Sequence, residues 1–134
     1  LHINIIGGLM RNVIVKQLDE KDEEIADALI AIGMSRNIAR TLSYLQNVNE
    51  ATSVELERVV RLHQPEVSIA MKQLKERDWI NEREKKKTGK GRPYKIYSLK
   101  VSFNDIISQL EKQQMKAVDD AQTKIDKLKE MGGY

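Results

Sequence analysis

Cysteine is absent from this 134-residue chain, and histidine occurs only at positions 2 and 63. Those two facts remove disulfides, thiolate metal sites, cysteine redox switches and a histidine-rich zinc or iron centre. Aromatics make up only 4% and charged residues 32%, a balance that favours helices over a β-sandwich. No apolar run approaches the ~20 residues of a membrane span. The opening residues lack a basic segment followed by a long apolar stretch, so no secretion signal is expected and the default location is cytoplasmic. There is no Gly-rich phosphate loop and no nucleophile beside a base. Asp119 and Asp120 are adjacent on a solvated helix and read as surface charge. The expectation is therefore a non-enzyme with no cofactor and no metal.

Basic charge, by contrast, is concentrated. Residues 83–95 carry seven Lys/Arg against one acid, Glu84, a net of +6 within a chain of +3, so the other 121 residues sum to −3. Charge gathered in this way is an electrostatic footprint for a polyanion.

At this length one domain, or one domain plus an appended helix, is expected. The organisation predicted is an N-terminal arm over 1–18, a main domain over 19–100 and a C-terminal helix over 101–134. Residues 1–9 read as upstream or foreign sequence, with Met10 a natural start. Val13-Ile14-Val15 is extended or joins a helix. Helix is predicted from Asp19 to Ile32, with acids crowding its first turns where the dipole favours them and Gly33 as its C′ residue. Ser35 caps a second helix to about Gln46, with Ile38, Leu42 and Leu45 on its core face. A turn over 47–50 leads to Thr52-Ser53-Val54-Glu55, which matches the capping box S/T-x-x-E and opens a third helix burying Leu56, Val59 and Val60.

That helix stops near His63, and the next begins two or three residues later, the spacing of a helix-turn-helix. Pro65 suits a first helical turn. Val67, Ala70, Met71 and Leu74 recur at i, i+3, i+4 and i+7 and mark the buried face of helix 65–77. Opposite them lie Pro65, Ser68, Ile69, Lys72, Gln73 and Glu76, a small hydrogen-bonding face that suits either an ordinary surface helix or a DNA major groove. Trp79 and Ile80 begin a strand to about Lys85. Residues 86–93 form a turn, and Tyr94 to Leu99 returns as the second strand, a β-hairpin with a positive, glycine-rich tip.

The last segment, 102–131, reads as one helix of ~30 residues and ~45 Å, capped by Ser102 or Asn104. Ile107, Leu110, Ala117, Val118, Ala121, Ile125, Leu128 and Met131 form a narrow apolar stripe with gaps at Gln114 and Lys124. Ile107, Gln114, Ala121 and Leu128 keep a strict seven-residue interval, a coiled-coil-like repeat with one polar member. A second copy of the chain is the economical partner for such a helix. The alternative is that it folds back on helix 19–32.

Gln64-Pro65-x-Val67-Ser68-x-x-Met71-x-x-Leu74-x-x-x-Asp78-Trp79-Ile80 resembles the recognition-helix signature of winged helix-turn-helix regulators of the ArsR and MarR type. The following Gly-Lys-Gly-Arg-Pro-Tyr-x-x-Tyr-Ser-Leu resembles the wing of archaeal TrmB-like and MarR-like proteins. The likeness covers residues 35–99, about half the chain. It implies a mainly α fold with a small β-hairpin, a winged helix-turn-helix plus a long C-terminal dimerisation helix. It also implies a homodimeric regulator of transcription on duplex DNA; many such proteins respond to a small ligand, but no effector is legible here. Asp78 stands where the family commonly has glycine, and Trp79 where it has leucine. Metal sensing is not carried over, since its cysteines or clustered histidines are missing.

On that reading helix 65–77 enters the major groove. Gln64 and Gln73 can offer an amide to adenine, Ser68 can bond several bases, Lys72 can reach guanine or phosphate, and Ile69 a thymine methyl. Pro65 borders the same surface. Glu66 either accepts from a cytosine amine or steadies the helix N-terminus. Thr52 and Ser53 can anchor a phosphate or simply cap their own helix. The wing residues Lys85, Lys86, Lys87, Lys90, Arg92 and Lys95 follow the backbone, with Arg92 the candidate for a narrow minor groove. The rival expectation is a winged-helix module that binds RNA or a protein partner.

Overall fold

The computed structural model describes residues 17–86 and 93–133. The expectations for residues 1–16, and for Lys87, Lys90 and Arg92, fall outside the described residues. The chain divides into two compact units, one ending at Lys100 and the other beginning at Val101.

In the first unit α1 (Glu20–Ala31) begins at Asp19, whose carboxylate accepts from the Asp22 N–H at 2.8 Å, while Asp22 accepts in return from the Asp19 N–H at 3.3 Å. It ends in a Schellman turn. Gly33, at φ 108°, donates to the Ile30 carbonyl, and Met34 donates to that of Leu29. Ser35 then caps α2 (Arg36–Leu45), whose Ala39, Leu42 and Leu45 are buried. The buried carboxylate of Asp22 also receives the Asn47 amide at 3.3 Å, and the Ser43 hydroxyl donates to the Asp22 carbonyl at 2.6 Å. Burial is the main force raising the pKa of Asp22.

Ala51–Thr52 forms a two-residue strand, β1, that the sequence reading did not include. Two residues show no alternation, so nothing in the pattern betrays a strand; it exists because Ile96 and Tyr97 of a later strand come alongside. Directly after it, Thr52 caps α3 (Ser53–Val60), its hydroxyl accepting from the Glu55 N–H at 3.0 Å. The Glu55 carboxylate accepts from the Tyr44 hydroxyl, which ties α3 to α2. Arg61 takes a left-handed φ of 60° and Leu62 donates back to the Glu57 carbonyl at 3.1 Å. The three residues 61–63 complete the turn of a helix-turn-helix.

α4 (Gln64–Glu76) starts with Gln64 itself, one residue earlier than expected. Glu66 accepts from the His63 N–H at 2.9 Å, so of its two expected roles the free protein displays the helix-steadying one. Val67, Ala70, Met71 and Leu74 are all buried. The helix ends in a second Schellman turn. Asp78, at φ 62°, donates to the Lys75 carbonyl at 2.9 Å, and Trp79 donates to that of Leu74 at 3.2 Å. This corrects the expectation that Trp79 begins a strand. Its N–H is spent on the turn, leaving only its carbonyl to accept from Lys100 N–H at 2.7 Å. Its indole, fully buried, is the largest side chain of the core, and Arg77 covers the ring at 4.6 Å from the centroid.

The strand proper, β2 (Ile80–Lys85), pairs antiparallel with β3 (Tyr94–Leu99) from Ile80↔Leu99 to Lys85↔Tyr94. β1 adds to the other edge of β3, Ala51 opposite Tyr97, giving the order β1-β3-β2. The sheet therefore grips the chain immediately before α3, and the hairpin is held at a set position beside the helix-turn-helix. This is a winged helix-turn-helix: helices predominate, with one small antiparallel sheet.

The second unit is α5 (Phe103–Met131), 29 residues long. Between the two capping candidates the structure selects Ser102, which accepts from the Asp105 N–H at 3.1 Å. Ile106 is fully buried, whereas the neighbouring stripe member Ile107 is 46% exposed. Leu110 is half-buried, and every described residue from 111 onward is exposed.

Candidate nucleic-acid interface

Three elements converge on one cleft. Thr52, Ser53, Val54 and Glu57 come from the start of α3, Gln64 from the first turn of α4, and Lys85, Lys86, Pro93, Tyr94 and Lys95 from the base of the hairpin; the cleft they line measures about 890 Å³. Six residues singled out from the sequence (Thr52, Ser53, Gln64, Lys85, Lys86, Lys95) thus meet, although they span more than forty positions of chain. Both helices present their N-terminal ends here, where N–H groups outnumber carbonyls and the dipole is positive. Three lysines, Lys85, Lys86 and Lys95, line the cleft against one acid, Glu57. The excess of positive charge and the two helix N-termini suit an anion.

The exposed face of α4 divides in two. Ser68 and Lys72 border a recess of about 300 Å³ that they share with Lys75, Glu76, Glu82, Lys95 and Tyr97. Gln73 lies away from them, lining a different recess with Gly33, Met34, Ser35 and Ile38. Pro65 and Ile69 are exposed between these edges, Ile69 at 59%. Gln64 and Ser68, one turn apart, are hydrogen-bonded to each other at 3.3 Å, so the free protein holds two candidate readers against one another.

Glu82 is the residue sequence reasoning missed. It sits on β2 across from Tyr97 and lies 3.4 Å from Lys75 and 3.6 Å from Lys95. Burial, the charge of Glu82 and a hydrogen bond to it push the Tyr97 hydroxyl up to about 12. Lys95 is therefore a partly neutralised cation, unlike the simple wing charge that composition suggests. The signal was present but weak: Glu82 falls one residue outside the basic window, and only the strand register places it beside Lys95. Lys75, Val54 and Tyr94 were likewise not anticipated. Other charges are also spoken for, Arg83 by Glu50 at 2.9 Å and Lys100 by Asp78 at 2.7 Å. Among the described residues no group of three or more His, Cys, Asp or Glu is placed to hold a metal ion, and no helix is long and apolar enough to cross a membrane.

The residues expected to join two copies all lie on α5. Val118 is 60% exposed and Leu128 64%, while Ala117, Ala121 and Ile125 are exposed beside them.

No protein-family model matches the chain, and no curated protein does. Among solved structures it is similar to a protein of Methanosarcina mazei Go1 described as a "possible transcriptional regulator", with a TM-score of 0.60 over 85% of this chain and 98% of that one. At 16% identity the likeness is one of fold.

Proposed function

We propose that the protein is a sequence-specific duplex-DNA-binding regulator of transcription, acting as a homodimer joined through α5. One observation carries the reading: the cleft that gathers two helix N-termini and Lys85, Lys86 and Lys95 beside the exposed face of α4. The backbone of one strand lies in that cleft, held by the Thr52 and Ser53 amides and hydroxyls and by the lysines. α4 then follows the major groove with Gln64, Pro65, Ser68, Ile69 and Lys72 toward base edges, while Gln73 meets the far edge of the groove. The wing continues along the backbone, and Lys87, Lys90 and Arg92 are proposed to add to its phosphate contacts. Residues 19–100 are the reading domain and 101–134 the dimerisation helix, so the site read is pseudo-palindromic. The description of the M. mazei protein of the same fold favours transcription as the process served.

Selection of bound duplexes from a random pool tests this reading. A recovered motif with dyad symmetry is expected. Structured RNA that competes as well as the selected duplex at physiological salt would sink the DNA assignment.

A further inference from the structure

The dimer proposed above leaves open which way the two copies of α5 run. We infer that they pair antiparallel, in the register that sets Ala117 of one copy against the partner's Ala121. The argument rests on that dimeric reading and on the order of side chains along the exposed stripe. At a heptad spacing α5 presents Ile107, Gln114, Ala121 and Leu128 in one row, and Leu110, Ala117, Lys124 and Met131 in the other. The rows are mirror images in size and polarity when one is read backwards. Antiparallel packing reads them in that way. Ile107 meets the partner's Met131, Leu110 the partner's Leu128, and Ala117 the partner's Ala121, so large faces large and small faces small. The two polar interruptions, Gln114 and Lys124, face each other instead of breaking an apolar layer each. Val118, 60% exposed, meets its own copy beside the central alanines, where the helices approach most closely.

The alternatives lose these matches. A parallel pair in register stacks Lys124 on the partner's Lys124, placing like charges inside the seam. Sliding the antiparallel pair by one heptad sets Ile107 against the partner's Lys124 in one direction. In the other it strands Ile107 and Leu110 without partners. Buried polar residues specify register through such differences. The centre of the seam falls at position 119, sixteen residues from Phe103. The two Phe103 ends therefore stand ~48 Å apart along the rod at 1.5 Å per residue, whereas a parallel pair brings them side by side.

Because the chain has no cysteine, introduced thiols report the pairing directly. Full-length Leu110→Cys and Leu128→Cys variants are oxidised separately, and together after being unfolded and refolded as a mixture. Positions 110 and 128 are ~27 Å apart on one helix, far beyond the ~6 Å Cα separation of a disulfide. The antiparallel seam predicts cross-linked dimer in the mixture, joining 110 to 128, and essentially none from either variant alone. Self-cross-linking of each variant alone means a parallel dimer and overturns the orientation while sparing the dimer. A wild-type chain that sediments as a dimer but gives no cross-link in the mixture, with both variants retaining wild-type helicity, also overturns it. A wild-type monomer at high micromolar concentration removes the dimeric reading itself, and the orientation with it.

Discussion

Replacing Lys85 and Lys86 together by alanine removes two positive charges from the floor of the cleft without touching the core, since both side chains are exposed. Folding stability is expected to move by no more than ~0.5 kcal/mol. The effect on DNA is read from the salt dependence of affinity, because each neutralised phosphate contributes a slope of about −0.9 in log K against log salt. A dimer carries four of these lysines. If all four lie on phosphates the slope flattens by about 3.6, and if only one of each pair does, by about 1.8. Between 50 and 200 mM salt the wild type should then lose roughly 10- to 150-fold more affinity than the double variant. Fluorescence anisotropy on a labelled duplex across that range measures both slopes. Lys95→Ala is the internal control: Glu82 already faces that lysine at 3.6 Å, so its removal should flatten the slope less. Glu82→Gln should steepen it, by freeing Lys75 and Lys95 for phosphate. A double variant whose slope matches the wild type would refute the placement of backbone in the cleft.

Specificity should reside elsewhere. Lys72→Ala is expected to relax base preference by roughly 1–3 kcal/mol at one position per half-site, and Gln73→Ala to act at a different position, since the two residues line opposite edges of α4. Identical shifts in a selected motif would contradict that geometry. Asp22→Asn tests the buried carboxylate. Its folded pKa is raised, so the folded state binds a proton more readily than the unfolded chain, and wild-type stability from this group falls as pH rises from the ordinary carboxylate range through the raised value. The asparagine variant should therefore gain on the wild type between acid and neutral pH in urea melts; a constant difference would show that burial of Asp22 costs nothing. At the end of α4, Asp78→Gly should be tolerated, whereas Asp78→Val should cost on the order of 1–2 kcal/mol, because a β-branched residue resists the φ of 62°. Equal thermal stabilities would mean that the left-handed turn is not retained.

The Schellman turn at Gly33 was readable because a single residue type marks it, and the core face of α4 because four apolar residues keep helical phase. The turn at Asp78 was harder: an aspartate in place of glycine signals left-handed geometry only faintly, and the consequence for Trp79, turned from strand residue into core anchor, follows from where its N–H is used. β1 was not readable at all, since Ala51-Thr52 becomes a strand only when Tyr97 and Ile96 come alongside. On α5 the helix and its stripe were plain, yet phase alone could not tell that Ile106 is buried and Ile107 exposed.

What the residue order alone settles is local: which segments are helical, to within a residue or two at their ends, which faces are apolar, and that positive charge is concentrated at one hairpin. These depend on neighbours within a turn or a strand, so periodicity and caps suffice to state them. Folding alone brings Thr52, Ser53, Gln64 and the lysines Lys85, Lys86 and Lys95 to one cleft, sets Gln73 apart from Lys72, and places Glu82 against Lys95. Each of those is a distance between residues far apart in the chain, set by strand register and by the seating of the sheet against α3, and no local pattern encodes such a distance.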